Sequence, residues 1–192
     1  MRITGGGARG ISLLTAKGSG VRPATDRLRE SVFSSLGSFV QNAQFIDLFA
    51  GSGAYGLEAW SRGAVGGYFV EKDRNSLRFL KQNIASVARS LGQSPDSLRV
   101  VQSDVERWQM QEKGFADLIF VDPPYSGIES IATELFPRFL EWLAPGGRIV
   151  FEMPGYIELQ PSGWEQIRRL GKGRHQPTCR IFQRASDFKK LG

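Results

Sequence analysis

The sequence predicts an α/β fold in which a doubly wound, mainly parallel sheet is covered by helices on both faces. From residue 45 onward, short apolar runs typical of buried strands alternate with longer stretches whose apolar residues recur at helical spacing. A glycine-rich turn follows the first of these runs, as expected where a strand leads into a helix. The length of 192 residues suits one ordinary domain with a small appendage.

The same patterns divide the chain into elements. Five strands are predicted, at 45–49, 67–71, 98–102, 117–122 and 148–153. Helices are predicted between them, at about 55–62, 74–91 and 128–143, and Pro145-Gly146-Gly147 is expected to stop the last one. Two final strands, at 164–170 and 178–184, would complete the sheet as an antiparallel hairpin.

The N-terminal residues predict a small extension, 1–38, ahead of a main domain, 39–192. Segments 1–4 and 9–14 are typical of a β-hairpin that turns through three glycines. A helix capped by Thr25 or Asp26 is expected to run to about Leu36, because its apolar residues fall at helical spacing.

The net charge of +6 is unevenly distributed along the chain. Residues 1–31 carry six Lys or Arg against two acids, and residues 164–192 carry eight against two. The middle of the chain carries 11 basic residues against 15 acids. Two basic ends around an acidic body could bind phosphates, although ordinary solvated surface charge gives the same pattern.

Several protein classes are disfavoured by composition. No apolar run approaches the roughly 20 residues of a membrane span, and the N-terminus has no apolar segment of the kind found in secretory signals. A single Cys179 and a single His175 predict neither an internal disulfide nor a metal site. We therefore expect a cytoplasmic protein that needs no metal.

The segment 45–56 joins a strand, a glycine turn and the start of a helix. Its glycines, Gly51, Gly53 and Gly56, allow a ligand close to the backbone, and Glu71 follows Gly51 by 20 residues. This spacing also matches the dinucleotide fingerprint, so it does not by itself choose between NAD and S-adenosylmethionine.

Three acids favour S-adenosylmethionine. Asp47 directly precedes the glycine turn, where a pyrophosphate would be repelled and an ammonium or sulfonium attracted. Glu71 is placed to accept from ribose hydroxyls, and Asp104 from the adenine amino group. Because all three follow predicted strands, they are expected to border one cofactor cleft at the carboxyl edge of the sheet.

The segment 116–125 is the strongest chemical signal, because a buried strand ends in Asp122-Pro123-Pro124-Tyr125. An exocyclic base amine is a poor nucleophile, since its lone pair is delocalised into the ring. Asp122 could accept one of its N–H groups and the Pro123 carbonyl the other, while Tyr125 stacks on the base.

With these motifs, the sequence resembles the class I S-adenosylmethionine-dependent methyltransferases. It resembles more closely the bacterial small-subunit ribosomal RNA guanine-N2 methyltransferases, the RsmD family. Segments 2–10, 22–33, 47–53, 71–73 and 122–125 and Glu152 carry the resemblance, and the Arg-Pro-x-Thr-Asp-Arg run at 22–27 is its most particular part. The sequence departs from the family after Leu170, where the predicted final hairpin is longer and more basic.

The resemblance implies a seven-stranded Rossmann-like methyltransferase sheet, S-adenosylmethionine as donor and a guanine N2 in ribosomal RNA as target. It implies cofactor binding by Asp47, Gly51, Gly53, Glu71 and Asp104, and base binding by Asp122, Pro123 and Tyr125. Together with the charge distribution, it predicts RNA binding by Arg9, Arg22, Arg27, Arg168, Arg169, Lys172 and Arg174. We expect a monomer that acts on ribosomal RNA or on a small-subunit assembly intermediate.

Three other functions stay open at the level of sequence. One is methylation of another amino group, on adenine N6 or a protein glutamine, although Asn is commoner than Asp at the position of Asp122 in such enzymes. Another is a dinucleotide-dependent oxidoreductase, which Asp47 disfavours. The third is a non-enzymatic RNA-binding module, which would leave the cofactor motifs unexplained.

Overall fold

A computed structural model describes residues 1–15 and 23–188. Its strands are β1 Gln44–Leu48, β2 Gly66–Glu71, β3 Leu98–Gln102, β4 Ala116–Val121, β5 Leu143–Pro154, β6 Trp164–Leu170 and β7 Pro177–Arg184. They form one seven-stranded sheet in the order β3-β2-β1-β4-β5-β7-β6. Strands β1 to β5 pair in parallel, and β7 is antiparallel to both of its neighbours. The predicted α/β fold with its seven-stranded sheet is confirmed.

The helices are α1 Pro23–Leu36, α2 Ala54–Ser61, α3 Arg74–Leu91, α4 Ile128–Trp142 and α5 Ala185–Phe188, with 3-10 turns at Gly37–Val40 and Pro95–Ser97. Side chains alternate between the two faces of the sheet, as strand geometry requires. Phe45 and Phe120 join the core beneath α1, α2 and α3. Ile46 and Ile119 join a second core beneath α4.

Across the two described stretches of chain, no helix is both long enough and apolar enough to span a membrane.

The boundary between α4 and β5 differs from the prediction. The helix ends at Trp142, and the strand begins at once and runs through Pro145-Gly146-Gly147, which was expected to separate them. The reason is strand pairing: Leu143 already pairs with Ala116, and the register shifts before Arg148 pairs with Leu118.

The predicted N-terminal hairpin is present as two antiparallel segments joined by a single bridge between Arg2 and Ser12. The two segments exchange backbone hydrogen bonds, such as that from the Ile3 N–H to the Ile11 carbonyl at 2.9 Å, and the backbone between them bonds to α2. The Gly7 N–H donates to the Ser61 carbonyl at 2.8 Å and the Ala8 N–H to the Ser61 hydroxyl at 2.9 Å. Apolar residues of the segment, Ile3, Ala8 and Leu13, belong to the same core as the sheet.

A buried carboxylate fastens this segment and α1 to the sheet domain. Glu58 of α2 is fully buried and accepts from the N–H and hydroxyl of Thr4 at 2.8 and 2.7 Å. It also pairs with the Nε of Arg29 at 3.3 Å and the Nε of Arg62 at 2.8 Å. Arg29 is buried too and donates to Asp26 at 3.0 Å. Three parts of the chain, the N-terminal segment, α1 and α2, are therefore joined through one side chain.

We predict that Glu58→Ala lowers the free energy of unfolding by roughly 3–5 kcal/mol, because the buried Arg29 guanidinium keeps only Asp26 as a counter-charge and Thr4 loses both of its hydrogen bonds to Glu58. Urea unfolding monitored by circular dichroism measures the change. The control is Glu141→Ala, whose partner Lys113 lies 4.0 Å away on the surface. That variant should lose about 1 kcal/mol at most. Equal losses in the two variants would contradict the assignment.

Candidate active site

Four acids lie at neighbouring strand ends along the carboxyl edge of the sheet: Glu71 on β2, Asp47 on β1, Asp122 directly after β4 and Glu152 on β5. The parallel register of β1 and β4 brings Asp47 and Asp122 together. Leu48, which follows Asp47, pairs with Val121, which precedes Asp122. The strand order reverses between β1 and β4, which is where open α/β sheets bind their ligands.

Two cavities of about 220 Å³ each open at this edge, and both are lined by Phe49 and Asp122. The first cavity extends over the glycine turn, and Arg29, Asp47, Gly51, Tyr55 and Glu152 are among its lining residues. The second extends toward β2 and β3, and its lining includes Glu71, Lys72, Ser103, Val105 and Pro124. Asp122 therefore lies where two binding spaces meet.

The glycine turn requires glycine for two different reasons. Gly51 and Gly53 have φ of +53° and +80°, a backbone region that other residues rarely adopt. A Cβ at Gly53 would also lie 2.4 Å from the Cδ1 of Leu80 on α3. At Gly51, by contrast, a Cβ would meet nothing nearer than the Phe49 carbonyl oxygen at 3.9 Å. The turn is thus packed on the α3 side and open at Gly51, which lines the first cavity.

Two of the predicted cofactor-binding acids hold this turn. The Gly56 N–H donates to Asp47 Oδ2 at 2.9 Å, and the Gly51 N–H donates to Glu71 Oε2 at 2.8 Å. The other oxygen of Glu71 accepts from the Asp73 N–H at 2.8 Å. Both carboxylates are consequently fixed in position beside the cavities.

Burial and repulsion from neighbouring acids raise the pKa values of carboxyls in the cleft. Burial raises the pKa of Asp47 to about 8, against the opposing Gly56 N–H and with a further contribution from Glu71. Burial, Glu152 and Asp47 raise the pKa of Asp122 well above its usual range. Asp122 is an exposed residue that lines both cavities.

A buried network beside Asp122 was not predicted. The Tyr55 hydroxyl lies 2.6 Å from Glu152 Oε2, to which it donates, and 3.2 Å from Cys179 Sγ. Burial raises the pKa of Glu152, while Tyr55 and Arg29 oppose the rise. The sequence held one signal for this network, the position of Tyr55 within the glycine segment. For Cys179, the sequence predicted only that it forms neither an internal disulfide nor a metal site.

Asp104 lies after β3 and pairs with Lys72 across 3.2 Å. Burial alone would raise the pKa of Asp104, but hydrogen bonds from Lys72 and from the Glu106 N–H hold it below its usual range. Its sequence neighbours Ser103 and Val105 line the second cavity. Its partner Lys72 lines the same cavity.

The residues after Asp122 separate in space. Pro123 is buried, whereas Tyr125 is 41% exposed and lines a different depression together with Tyr156. The structure therefore places Asp122 inside the cleft and Tyr125 on the adjoining surface.

The predicted RNA-binding residues form two groups. Arg9 and Arg27 line one depression of about 500 Å³, which Arg2 also lines. Arg168, Lys172 and Arg174 are exposed on β6 and on the turn between β6 and β7, whereas Arg169 pairs with Glu158 at 3.0 Å. Arg22 lies outside the described residues.

The two groups are joined through α1. This helix packs against β6 and β7. A Cβ built on Gly171, in the turn between those strands, would lie 3.2 Å from the Cδ1 of Leu28. The two basic ends of the sequence therefore lie on neighbouring parts of the surface.

Within residues 1–15 and 23–188, no three His, Cys, Asp or Glu side chains are grouped closely enough to hold a metal ion.

Comparison with known proteins identifies the family. A family model described as "Conserved hypothetical protein 95" matches residues 1–182. The protein named Ribosomal RNA small subunit methyltransferase D from Escherichia coli (strain K12) is 33% identical, over 96% of this chain and 90% of its own length. The chain belongs to this family. The resemblance inferred from the sequence motifs is confirmed.

Other relatives agree. The Haemophilus influenzae protein of the same name is 33% identical over 90% of this chain and 89% of its own length. The solved structure of yhhF from Escherichia coli has a TM-score of 0.80 and 31% identity, and the match covers 96% of this chain and 97% of that one. The chain is thus a full-length match to members of a methyltransferase family.

We predict that Asp47→Asn stabilises the ligand-free protein near pH 8 but not near pH 4. Because the pKa of Asp47 is raised from 3.8 to about 8, its contribution to folding is complete below pH 3.8 and is lost as the pH rises toward 8. The amide removes this loss and still offers an oxygen to the Gly56 N–H. Urea unfolding at a series of pH values measures the difference.

The control for this experiment is Asp96→Asn, at an exposed acid in the Pro95–Ser97 turn. It should keep the wild-type pH dependence. Superimposable pH dependences for Asp47→Asn and the wild type would show that Asp47 does not ionise with a raised pKa.

Proposed function

We propose that the protein transfers a methyl group from S-adenosylmethionine to the exocyclic N2 of a guanine in small-subunit ribosomal RNA. The substrate is the free RNA or an assembly intermediate, and the protein acts on it as a monomer. One observation carries the proposal: Asp122, at the start of Asp-Pro-Pro-Tyr, lines both cavities of the cleft. A donor with its methionine end in the first space and its nucleoside in the second would present its methyl group at this carboxyl, where a base amine can meet it.

The cleft fits S-adenosylmethionine better than a dinucleotide. Three carboxyls with raised pKa values, Asp47, Asp122 and Glu152, line the first cavity. A cation entering this space lowers their pKa values and lets them ionise, whereas a pyrophosphate would add to the repulsion. We assign Asp47, Gly51 and Gly53 to the methionine end of the cofactor, and Glu71 and Asp104 to its ribose and adenine. The bound cofactor would supply an electrophilic methyl group on a sulfonium.

The residues around Asp122 would prepare the amine for attack. The Asp122 carboxylate accepts one N2–H and the Pro123 carbonyl accepts the other, so the nitrogen lone pair is directed at the methyl carbon. Methyl transfer would form the carbon–nitrogen bond as the carbon–sulfur bond breaks, with the electron pair left on sulfur and the extra proton released from N2 to solvent. Tyr125 stacks on the base at the mouth of the cleft. Orientation of this kind can provide a large part of a rate enhancement.

RNA would be held by the exposed cations on both sides of α1. Residues 1–38 form the RNA-binding extension and residues 39–192 the methyltransferase domain. Arg9 and Arg27 contact phosphates from the extension, as does Arg22 by its place in the sequence. Arg168, Lys172 and Arg174 contact phosphates from the main domain, while Arg169 contributes less because it is paired with Glu158.

Two measurements on the purified protein test the proposal. Titration calorimetry should give tight binding of S-adenosylhomocysteine and none of NAD, and the opposite result indicates a dinucleotide enzyme. Methyl transfer should then be assayed on small-subunit ribosomal RNA, on adenine-only oligonucleotides and on a glutamine peptide. Transfer to adenine or glutamine in preference to guanine would favour another amino methyltransferase, and cofactor-independent RNA binding alone would favour a binding module.

We predict that Asp122→Ala lowers kcat by roughly 10² or more, as expected when one preorganised polar contact is removed from a transition state. The Kd for S-adenosylhomocysteine should change much less. Single-turnover methyl transfer and calorimetry measure the two quantities. Asp122→Asn, which retains one acceptor oxygen, should fall between Ala and the wild type. A near-normal single-turnover rate for Asp122→Ala would remove this residue from the mechanism.

We predict that each exposed cation removed from the RNA surface flattens the dependence of log Kd on log salt by about one unit, because one phosphate contact is lost. Suitable variants are Arg9→Gln, Arg27→Gln and Arg168→Gln. Point substitutions are required, since a truncation would remove Ile3, Ala8 and Leu13 from the core. RNA binding at several salt concentrations gives the slope.

Arg169→Gln is the matched control for Arg168→Gln, because the two residues are adjacent on β6 and only Arg169 is paired with Glu158. Its effect on the slope should be the smaller one. Unchanged affinity and slope in all the exposed-cation variants would mean that these charges are solvated surface.

A further inference from the structure

Two exposed tyrosines continue the surface beyond the cleft. Tyr125 and Tyr156 are 41% and 52% exposed, and both line a depression of about 250 Å³. The ring of Tyr156 lies 5.5 Å from the imidazole of His175, at an interplanar angle of 48°. The three rings form what we call the aromatic platform, which leads from the Asp-Pro-Pro-Tyr segment to the turn between β6 and β7.

The backbone that carries Tyr156 is fastened to the β6–β7 hairpin. The Gly155 N–H donates to the Gln176 carbonyl at 3.0 Å, and Arg169 Nη2 donates to the Gly155 carbonyl at 3.0 Å. Arg180 Nη2 donates to the Ile157 carbonyl at 3.3 Å. Because both neighbours of Tyr156 are hydrogen-bonded to the hairpin, little freedom is lost when a ligand stacks on its ring.

The surroundings of the platform favour a polyanion with flat groups. Exposed Lys172 and Arg174 lie in the same turn as His175. Two acids, Glu129 and Glu158, also line the depression, but Glu158 is paired with Arg169 at 3.0 Å and Arg180 at 3.4 Å. Aromatic faces alternating with cations are the means by which proteins bind single-stranded nucleic acid.

We propose that Tyr156 and His175 stack on the base of an unpaired nucleotide adjacent to the methylated guanine. This inference rests on the proposed function, because a guanine that reaches Asp122 must leave its own base stack. Its neighbour in the strand then loses a stacking partner and can find one on the platform. The platform thereby selects RNA that is unpaired at the target. The β6–β7 turn then positions the RNA by stacking and does not only attract its phosphates.

The test uses short oligoribonucleotides with a single guanine and a fluorescent 2-aminopurine on its 5′ or its 3′ side. Stacking on the platform should quench the fluorescence in the wild-type complex. Tyr156→Ala should raise the Kd about tenfold and remove the quenching, whereas Tyr156→Phe, which keeps the ring, should retain both. His175→Ala should give a smaller rise. The control is Leu140→Ala, at a 49% exposed apolar residue on α4, which should leave RNA affinity unchanged.

A second arm removes the base instead of the ring. With an abasic site beside the guanine, the wild type should bind as weakly as Tyr156→Ala, and combining the two changes should add little further loss. Additive losses, or equal losses in Tyr156→Ala and Tyr156→Phe, would overturn the inference. The inference would also be overturned if the Tyr156 and His175 variants impaired methylation of ribosomal particles but bound the oligonucleotides normally. The platform would then contact protein.

Failure of this inference can be distinguished from failure of the proposed function. Tyr156→Ala should bind S-adenosylhomocysteine like the wild type, and its defect should fall on KM for RNA. A wild-type protein that transfers no methyl group to any guanine-containing RNA contradicts the proposed function. A wild-type protein that methylates RNA with the same KM as Tyr156→Ala contradicts only the inference about the platform.

Discussion

The parallel pairing of β1 with β4 determines where the chemistry of this protein can occur. It places Leu48 beside Val121, and the Asp122 N–H then donates to the Leu48 carbonyl at 3.5 Å. The glycine turn after β1 and the Asp-Pro-Pro-Tyr segment after β4 therefore leave the sheet side by side. Shifting this register by one residue would turn either Asp47 or Asp122 toward the opposite face of the sheet. The cleft would then lose one of its two central acids.

The electrostatic consequence is that the acids of the cleft destabilise the ligand-free fold. Burial raises the pKa values of Asp47, Asp122 and Glu152, and the charges of Glu152 and Asp47 add to the rise at Asp122. Tyr55 and Arg29 oppose the rise at Glu152. Such an arrangement weakens the ligand-free fold and is compensated when a cationic ligand binds. Glu58 contributes to the same region, because its partner Arg29 also lines the first cavity.

Local motifs could be predicted from the sequence, whereas contacts between distant segments could not. The strands, Asp47 and Asp122 follow from apolar periodicity and from turn residues that adopt few conformations. Tyr55 and Glu152 were missed as partners because they are 97 positions apart and meet only through the order of the strands. Charge counting likewise treated Arg29 and Arg169 as surface cations, since only the folded chain shows that Glu58 and Glu158 neutralise them.

The central claim is that a guanine amine and a methyl donor meet at Asp122. Its most direct test is to incubate the purified protein with S-adenosylmethionine and small-subunit ribosomal RNA, or particles, from cells that lack it, and to map the product by mass spectrometry. We expect one added methyl group, on the N2 of a single guanine, and its formation should be roughly 10² times slower or more with Asp122→Ala. A methyl group on adenine, or equal modification by the Asp122→Ala protein, would contradict it.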